Sequence, residues 1–200
     1  KEFPMTRDND GVWETVLDGE LYGLFYGFKV CHPGTPCIED IVCIDPYAKA
    51  VATFNTYFNP RRSIVVKEGN YDWEGDEWIQ RDWRDLIIYE MHIRDMTEHP
   101  SSGVIERGTY HGLIEKGKGS GIDYIKNLGV NTVELLPSQE FANIEIPFKD
   151  SLNGKFNTWN PYERNHWGYM TAAFFAPESY YSENVRELRW DDWSGKLTNL

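Results

Sequence analysis

Two stretches decide the fold: Leu86-Ile-Ile-Tyr-Glu-Met-His-Ile93 and, further along the chain, Val130-Asn-Thr-Val-Glu-Leu-Leu-Pro137. The first is a nearly continuous apolar run, which is typical of a strand buried on both faces of a parallel sheet. The second has the same character and ends at a proline, which has no N–H to donate to a neighbouring strand. Both stretches therefore predict strands of an α/β domain.

A short helix is predicted between the two strands. Apolar residues recur on one helical face of residues 122–128, and Gly129 follows as a candidate left-handed C-cap. Ser120 and Asp123 have the spacing of a capping box, in which each side chain bonds a free amide at the helix start. Strand, helix and strand make a βαβ unit, whose crossover is expected to be right-handed.

Upstream, residues 1–66 have the pattern of a small β-sandwich. Short aromatic or β-branched runs, such as residues 24–30, are separated by turn residues. A complete sandwich has about seven strands, so this one is partial, and we expect its opening strands to precede Lys1. The polar, Trp-rich residues 67–84 predict a linker, and residues 85–200 predict the α/β domain.

A long segment without a clear helical or strand period, residues 138–182, follows the second predicted strand. It is rich in Asn, Gly, Pro and aromatic residues. Loops of this length in a compact domain are usually functional, and α/β folds place ligand sites at the carboxyl ends of strands. We therefore expect binding residues in this segment.

The composition excludes several classes of partner. The 200 residues carry 20 Lys and Arg against 32 Asp and Glu, a net charge of −12 that repels nucleic acid and anionic membrane surfaces. No apolar run approaches the roughly 20 residues that span a bilayer, and the first residues lack an apolar signal core. Cytoplasmic and secreted locations both stay open. The 15% aromatic content points to flat, uncharged ligands such as sugars.

Three cysteines, Cys31, Cys37 and Cys43, lie six residues apart. An odd number cannot pair completely within the chain, so the cysteines do not decide the redox compartment. A zinc site that recruits His32 would lack the CxxC or HxxxH spacing of tetrahedral sites. We expect small buried thiols in strands instead.

Four runs, in this order along the chain, resemble α-amylase-clan glycoside hydrolases of the pullulanase, isoamylase and glycogen-debranching branch. Residues 45–50 resemble the link from a starch-binding-type β-sandwich into the barrel. Residues 89–97 are similar to the first barrel strand, and residues 121–137 to the first helix and second strand. Residues 166–178 resemble the loop that carries the substrate-stacking tyrosine. Each run is short, but their succession in family order is specific.

The resemblance implies a partial starch-binding-type β-sandwich followed by the first βαβ unit of a (β/α)₈ TIM barrel. It also implies retaining hydrolysis of α-1,6 branch linkages in starch, glycogen or pullulan. In the family, the catalytic carboxylates follow the fourth, fifth and seventh strands. A full barrel takes roughly 250 residues, so we assign no catalytic residue here and expect this stretch alone to be inactive. No cofactor is implied, and calcium enters only through the resemblance.

Tyr169 matches the family residue that stacks under the glucose beside the cleaved bond. A flat ring buries the apolar C–H face of a sugar while its hydroxyl reaches solvent. Trp167 is expected to wedge the loop against the barrel, with direct ligand contact as the alternative. Gly168 lets the backbone turn between the two rings. Met170 departs from the Asn or Asp common after this tyrosine, which leaves the subfamily open.

Three polar residues of the predicted strands have structural interpretations. His92 is expected to be a hydrogen-bonded core histidine rather than a functional one. Glu90 and Glu134 would face inward from parallel strands, where an unpaired charge is costly. We therefore expect partners for them, such as Arg94.

Aromatic and acidic residues upstream also allow two interpretations each. Trp13, Tyr26 and Phe28 form either a glucan-binding platform on the sandwich or, as is more common for alternating aromatics, its core. The acidic residues 72–85 lack the Asp-x-Asp-x-Asp-Gly order of a calcium loop, which favours a solvated linker.

Two other functions stay open alongside debranching. A glucan-branching transferase shares the motifs, but 24 residues separate Phe141 from His166, a connection that branching enzymes keep short. A non-catalytic carbohydrate-binding protein of the same fold is the second alternative, because fold does not determine function. The expected partner in all three cases is an α-glucan.

Overall fold

The computed structural model describes residues 1–31, 34, 42–52, 62–67, 69, 72–142 and 165–182. Within these ranges, small antiparallel sheets come first, a parallel strand pair with intervening helices follows, and an antiparallel strand pair ends the described chain. No helix in this part of the chain has the length and apolar character needed to cross a membrane.

The amino-terminal part contains two antiparallel strand pairs. Strand β1 (Thr6–Arg7) pairs with β2 (Trp13–Glu14), and β3 (Phe25–Tyr26) pairs with β4 (Ser63–Ile64). The turn between β1 and β2 is held by Asp8, whose Oδ1 accepts hydrogen bonds from the amides of Asp10 and Val12. These small sheets fit part of a β-sandwich, but β3 covers only two residues near the start of the predicted strand 24–30.

The predicted parallel pair is present. Strand β5 (Ile88–Met91) pairs in parallel with β6 (Thr132–Leu135), with Ile88 opposite Thr132 and Met91 opposite Leu135. A 3₁₀ turn at Trp83–Asp85 precedes β5. Helices α1 (Asp95–Glu98), α2 (Tyr110–Ile114) and α3 (Ile122–Leu128) lie between the two strands, with a 3₁₀ turn at Pro100–Ser102. The βαβ prediction is confirmed, although the sequence indicated only the last of the three helices.

Helix α3 spans the predicted residues, but its N-terminal capping differs from the prediction. Gly129 ends the helix in the left-handed region with φ 75°. The prediction of a capping box is wrong, because the hydroxyl of Ser120 donates instead to the carbonyl of Ser102 at 2.8 Å. The N-cap is Gly121 at φ 57°, where a Cβ would lie 2.4 Å from the carbonyl oxygen of Leu113. The close approach of α2 therefore determines how the chain enters α3.

The strands β5 and β6 are more exposed than strands of a parallel sheet that is covered on both faces. Only Met91 of β5 is fully buried, and β6 is half-buried at its first residue and exposed along the rest. Glu90 and Glu134 are opposite each other and exposed, and Arg94 pairs with Glu98 at 3.4 Å. The expected pairing of Arg94 with these glutamates is therefore wrong. In the part of the chain that the structure describes, neither strand has a second neighbour that would bury these faces.

The segment 138–182 contains two strands that the sequence did not indicate. Strand β7 (Gln139–Phe141) pairs antiparallel with β8 (Thr171–Pro177), and a 3₁₀ turn at Ser179–Tyr181 follows. The prediction of an irregular loop is wrong for these residues. The three-residue β7 is too short to show a period, and register shifts beside Glu140 interrupt the alternation that identifies a strand.

Two clusters form the described core. The first consists of Ala48, Val51, Ala173 and Ala176, with Ile44 packed against it. It joins the amino-terminal part to β8. The second consists of Ile93, Phe141 and Tyr181, with Tyr110 packed against it. It lies where the end of β5 meets the β7–β8 pair.

The cysteines differ from the expectation of buried thiols. Cys31 is disulfide-bonded, and Cys43 is free and exposed. The backbone of Cys43 pairs with that of Phe28 in an isolated antiparallel bridge. His32 and Cys37 lie outside the described residues.

Candidate functional site

The loop 165–170, which carries the candidate sugar-binding residues, meets the carboxyl end of β5. His166 lies against Asp95 although 71 positions separate them in sequence. The hydroxyl of Tyr110 donates to the carbonyl of Ser138 at 3.0 Å, which ties α2 to the start of β7. The predicted location at the carboxyl ends of the parallel strands therefore matches the structure.

Backbone geometry gives this loop its shape. Gly168 has φ 80°, and a Cβ there would lie 2.7 Å from the carbonyl oxygen of Pro137. Its amide donates to Oδ1 of Asn165 at 3.2 Å, while the Asn165 amide group donates to the carbonyl of Tyr169. Met170 also has a positive φ of 70°. A glycine at position 168 is therefore required for the turn that displays the neighbouring rings.

The two predicted sugar-binding rings are both accessible. Tyr169 is 58% exposed and Trp167 is 55% exposed. Trp167 meets two histidines edge-on, with ring centroids 6.3 Å from His92 and 5.1 Å from His166. Trp167 therefore packs on the residue that follows β5 while about half of its side chain stays exposed, and both predicted roles of Trp167 remain predictions.

His92 is buried and hydrogen-bonded, as the core interpretation expected. Its Nε2 lies 2.9 Å from the hydroxyl of Tyr181, and its Nδ1 accepts from the amide of Asp95 at 3.2 Å. Burial lowers the pKa of His92, and the nearby Asp95 carboxylate opposes this effect. The neutral imidazole is therefore the favoured form.

Asp95 and His166 are site residues that the sequence analysis missed. Oδ1 of Asp95 lies 3.1 Å from Nε2 of His166 and 3.6 Å from Nδ1 of His92. The two imidazole rings are nearly parallel, with centroids 4.8 Å apart and planes at 24°. A local signal existed for Asp95, because it follows His92 by three residues. The position of His166 depends on tertiary structure alone.

Two glutamates are fully buried in the β7–β8 pair. Glu140 accepts from the amide and hydroxyl of Ser179, both at 3.1 Å. Glu178 accepts from the amides of Phe141 at 3.1 Å and Tyr180 at 2.9 Å. These bonds compensate the cost of removing a carboxyl group from water. The two side chains fasten the end of β8 to β7 beneath the loop.

The buried carboxyl groups also affect the neighbouring tyrosines. Burial raises the pKa of Tyr110 and of Tyr181 above the ordinary value, and the charge of Glu178 adds to the effect in both cases. Both phenols therefore stay protonated and act as neutral hydrogen-bonding groups.

The aromatic residues of the sandwich do not form one platform. Tyr26 and Phe28 pack edge to face with centroids 5.9 Å apart, and Tyr26 donates to Oδ2 of Asp45 at 2.7 Å. Trp13 lies in the other sheet and is 59% exposed. Tyr26 and Phe28 are half-buried and pack on each other, outside the two core clusters, whereas Trp13 is a surface residue.

Comparison with known proteins shows a likeness to carbohydrate-active enzymes. Residues 1–48 match the family described as carbohydrate-binding module 48 (isoamylase N-terminal domain). Similar proteins are the chloroplastic isoamylase 1 of Oryza sativa subsp. japonica (36% identity), the pullulanase of Bacillus subtilis strain 168 (33%) and the glycogen debranching enzyme of Yersinia enterocolitica (30%). The likeness to debranching glycoside hydrolases is confirmed.

The matched regions cover nearly all of this chain but only a small part of each relative. The three debranching enzymes match 90%, 94% and 94% of this chain, but only 22%, 24% and 30% of their own lengths. The chain therefore spans less than a third of these relatives. The match extends across both the amino-terminal sheets and the α/β part.

Solved structures of debranching enzymes show the same likeness. Pullulanase type I of Bacillus subtilis strain 168, complexed with maltose, has a TM-score of 0.66 at 32% identity, covering 90% of this chain and 23% of that one. A pullulanase of Paenibacillus barengoltzii, in complex with maltohexaose and α-cyclodextrin, has a TM-score of 0.60 at 28% identity, covering 92% and 28%. The small amino-terminal sheets therefore fit the β-sandwich of a carbohydrate-binding module.

Proposed function

We propose that this chain is a segment of an α-glucan debranching hydrolase, which cleaves α-1,6 branch linkages of starch, glycogen or pullulan by a retaining mechanism. The observation that carries the proposal is the match to an isoamylase, a pullulanase and a glycogen debranching enzyme over at least 90% of the chain. A match to the module alone would support only carbohydrate binding.

The proposed architecture has three parts. Residues 1–66 form a carbohydrate-binding sandwich, residues 67–84 form a linker, and residues 85–200 begin a (β/α)₈ barrel. The parallel register of β5 and β6 supports the barrel, because a barrel of this type is built from adjacent parallel strands. The exposed faces of these strands fit the same proposal, since further strands and helices would cover them.

The proposed glucan site includes Tyr169 and Trp167. Both rings are accessible on the loop that meets the end of β5, where barrel enzymes bind substrate. Tyr169 would stack under a glucose ring, and Trp167 would position the loop or contact a neighbouring sugar. The reacting carboxyl groups lie on later strands, outside this chain, and the proposed reaction needs no cofactor.

Product analysis of the full-length protein tests the proposal. With amylopectin as substrate, hydrolysis of α-1,6 linkages would release linear chains and reducing ends without adding branch points. With pullulan, it would release maltotriose units. New branch points would show a glucan-branching transferase instead, and glucan binding without any product would show a carbohydrate-binding protein. Either result would overturn the proposed reaction.

A further inference from the structure

Three possible metal ligands from separate parts of the chain meet beside the loop 165–170. His92 directly follows β5, Asp95 begins α1, and His166 belongs to the loop. One ligand atom from each, the nitrogens of both histidines and an oxygen of Asp95, lies within 4.8 Å of the other two. This cluster of three donors belongs to neither the sugar-stacking rings nor the proposed catalytic carboxyl groups.

The hydrogen bonds of His92 fix its tautomer, so Nδ1 is the nitrogen that can bind a metal ion, in exchange for the hydrogen bond that it accepts from the Asp95 amide. Because Nδ1 accepts from the amide of Asp95, this nitrogen carries a lone pair rather than a proton. The proton of the neutral ring is then on Nε2, which faces the hydroxyl of Tyr181 at 2.9 Å. Metal-binding histidines usually donate their second N–H to such a partner, which holds the ring in orientation.

The two distances from Asp95 to the histidines are close to those around a small ion. Zinc binds histidine nitrogen and carboxylate oxygen at about 2.0–2.2 Å, which places neighbouring ligand atoms roughly 3.3–3.5 Å apart. Oδ1 of Asp95 lies 3.1 Å from His166 and 3.6 Å from His92. The side chains of His166 and Asp95 are both 47% exposed, so they have room to adjust and solvent has access to complete the coordination.

We propose that His92, Asp95 and His166 form a binding site for a divalent transition metal of the zinc class. Two imidazoles and one carboxylate suit zinc, cobalt or nickel, whereas calcium and magnesium prefer oxygen ligands alone. A bound ion links the loop that carries Tyr169 to the end of β5, because its ligands come from both elements. The site therefore stabilises the position of the loop.

Calorimetric titration of the full-length protein with Zn²⁺, after treatment with a chelator, tests the proposal. We expect one ion per chain, and loss of this binding in His166→Gln, whose exposed position leaves the fold intact. His111→Gln removes an exposed histidine on α2, outside the cluster, and should bind Zn²⁺ as the parent does. Substitution with Co²⁺ should give a visible absorption band that is absent in His166→Gln.

A second variant tests the orienting role of Tyr181. Tyr181→Phe should weaken zinc affinity by about 10-fold, with one ion still bound, because the ligands remain but His92 loses its partner. A melting curve recorded without metal checks that each variant is folded. The proposal is overturned if the parent binds no zinc, if His166→Gln binds it unchanged, or if the ion is lost instead in Cys43→Ser.

Discussion

At the residue scale, Tyr169 combines an exposed ring with a restrained backbone. Its carbonyl accepts from Asn165, while the ring itself is 58% exposed. The side chain therefore contributes little to packing, and its removal should affect ligand contact more than folding. This separation makes the residue suitable for testing the proposed sugar contact.

Tyr169→Ala in the full-length protein should weaken maltotetraose binding by about 10-fold. Loss of ring stacking and buried area is worth about 1.5 kcal/mol, which corresponds to this factor. Equilibrium titration would measure the change, with Tyr124→Ala on α3 as the control for loss of an exposed ring. Equal affinity in Tyr169→Ala and the parent would remove Tyr169 from the site.

A second residue-scale prediction concerns the Tyr26–Asp45 hydrogen bond. Burial, followed by the bond to Asp45, raises the pKa of Tyr26 to about 12 from the ordinary 10.0. The folded state therefore holds this proton more tightly than the unfolded state. The resulting stabilisation is complete below pH 10 and is lost as the pH rises from about 10 to about 12.

Tyr26→Phe should reduce the loss of stability over this alkaline range. Melting temperatures recorded between pH 9 and pH 12 would measure the slope, with Tyr22→Phe as the control at an exposed tyrosine. The Tyr26→Phe curve should be flatter than that of the parent, and the control curve should be parallel to it. Identical slopes in all three proteins would contradict the role of Tyr26.

At the element scale, α2 depends on its surroundings. A helix of five residues is too short to be stable alone in water. Thr109 caps it by accepting from the amide of Gly112 at 3.0 Å, and Thr97 accepts from the amide of Gly108 at 2.9 Å. These bonds and the close approach of Gly112 to the backbone of Glu106 hold the helix in place.

Gly112→Ala should destabilise the protein by about 1–3 kcal/mol, the usual cost of overpacking. A Cβ at this position would lie 1.9 Å from the carbonyl oxygen of Glu106, so the helix or the preceding loop must move. Gly69→Ala is the matched control, because nothing lies within 4 Å of its Cβ position. Denaturant unfolding of both variants would measure the difference, and equal stability would contradict the observed packing.

At the scale of the whole molecule, the amino-terminal part is attached to the α/β part through β8. Ala48 and Val51 pack against alanines of this strand. Beside them, the ring of Tyr47 stacks on Phe175 with centroids 5.3 Å apart, and Lys49 lies over the same ring at 5.2 Å. The amino-terminal part therefore packs against the strand that directly follows the loop 165–170.

Ala176→Leu should weaken this attachment. Alanine 176 is buried within the cluster, and a larger side chain would cost about 1–3 kcal/mol through overpacking. We expect a lower melting temperature and faster proteolysis within residues 67–84 of the full-length protein. Ala172→Leu, at a half-buried position outside the cluster, should change both much less. Equal effects in the two variants would argue against a specific contact.

The sequence alone determined the elements whose signals are local. The apolar run around β5, the helical face of residues 122–128 and the glycine at 129 all act within a few residues, so they predicted a parallel pair and α3. The motif around Tyr169 was also visible through its resemblance to the family's loop, and the structure gives Gly168 within it a positive φ that other residues rarely adopt.

Only the tertiary structure decided which distant residues meet. The contact of His166 with Asp95 spans 71 positions and that of Tyr181 with His92 spans 89. The β7–β8 pairing likewise joins two short strands whose hydrogen-bond partners lie far apart in sequence. Such contacts depend on the packing of several elements together, and no local sequence pattern predicts them.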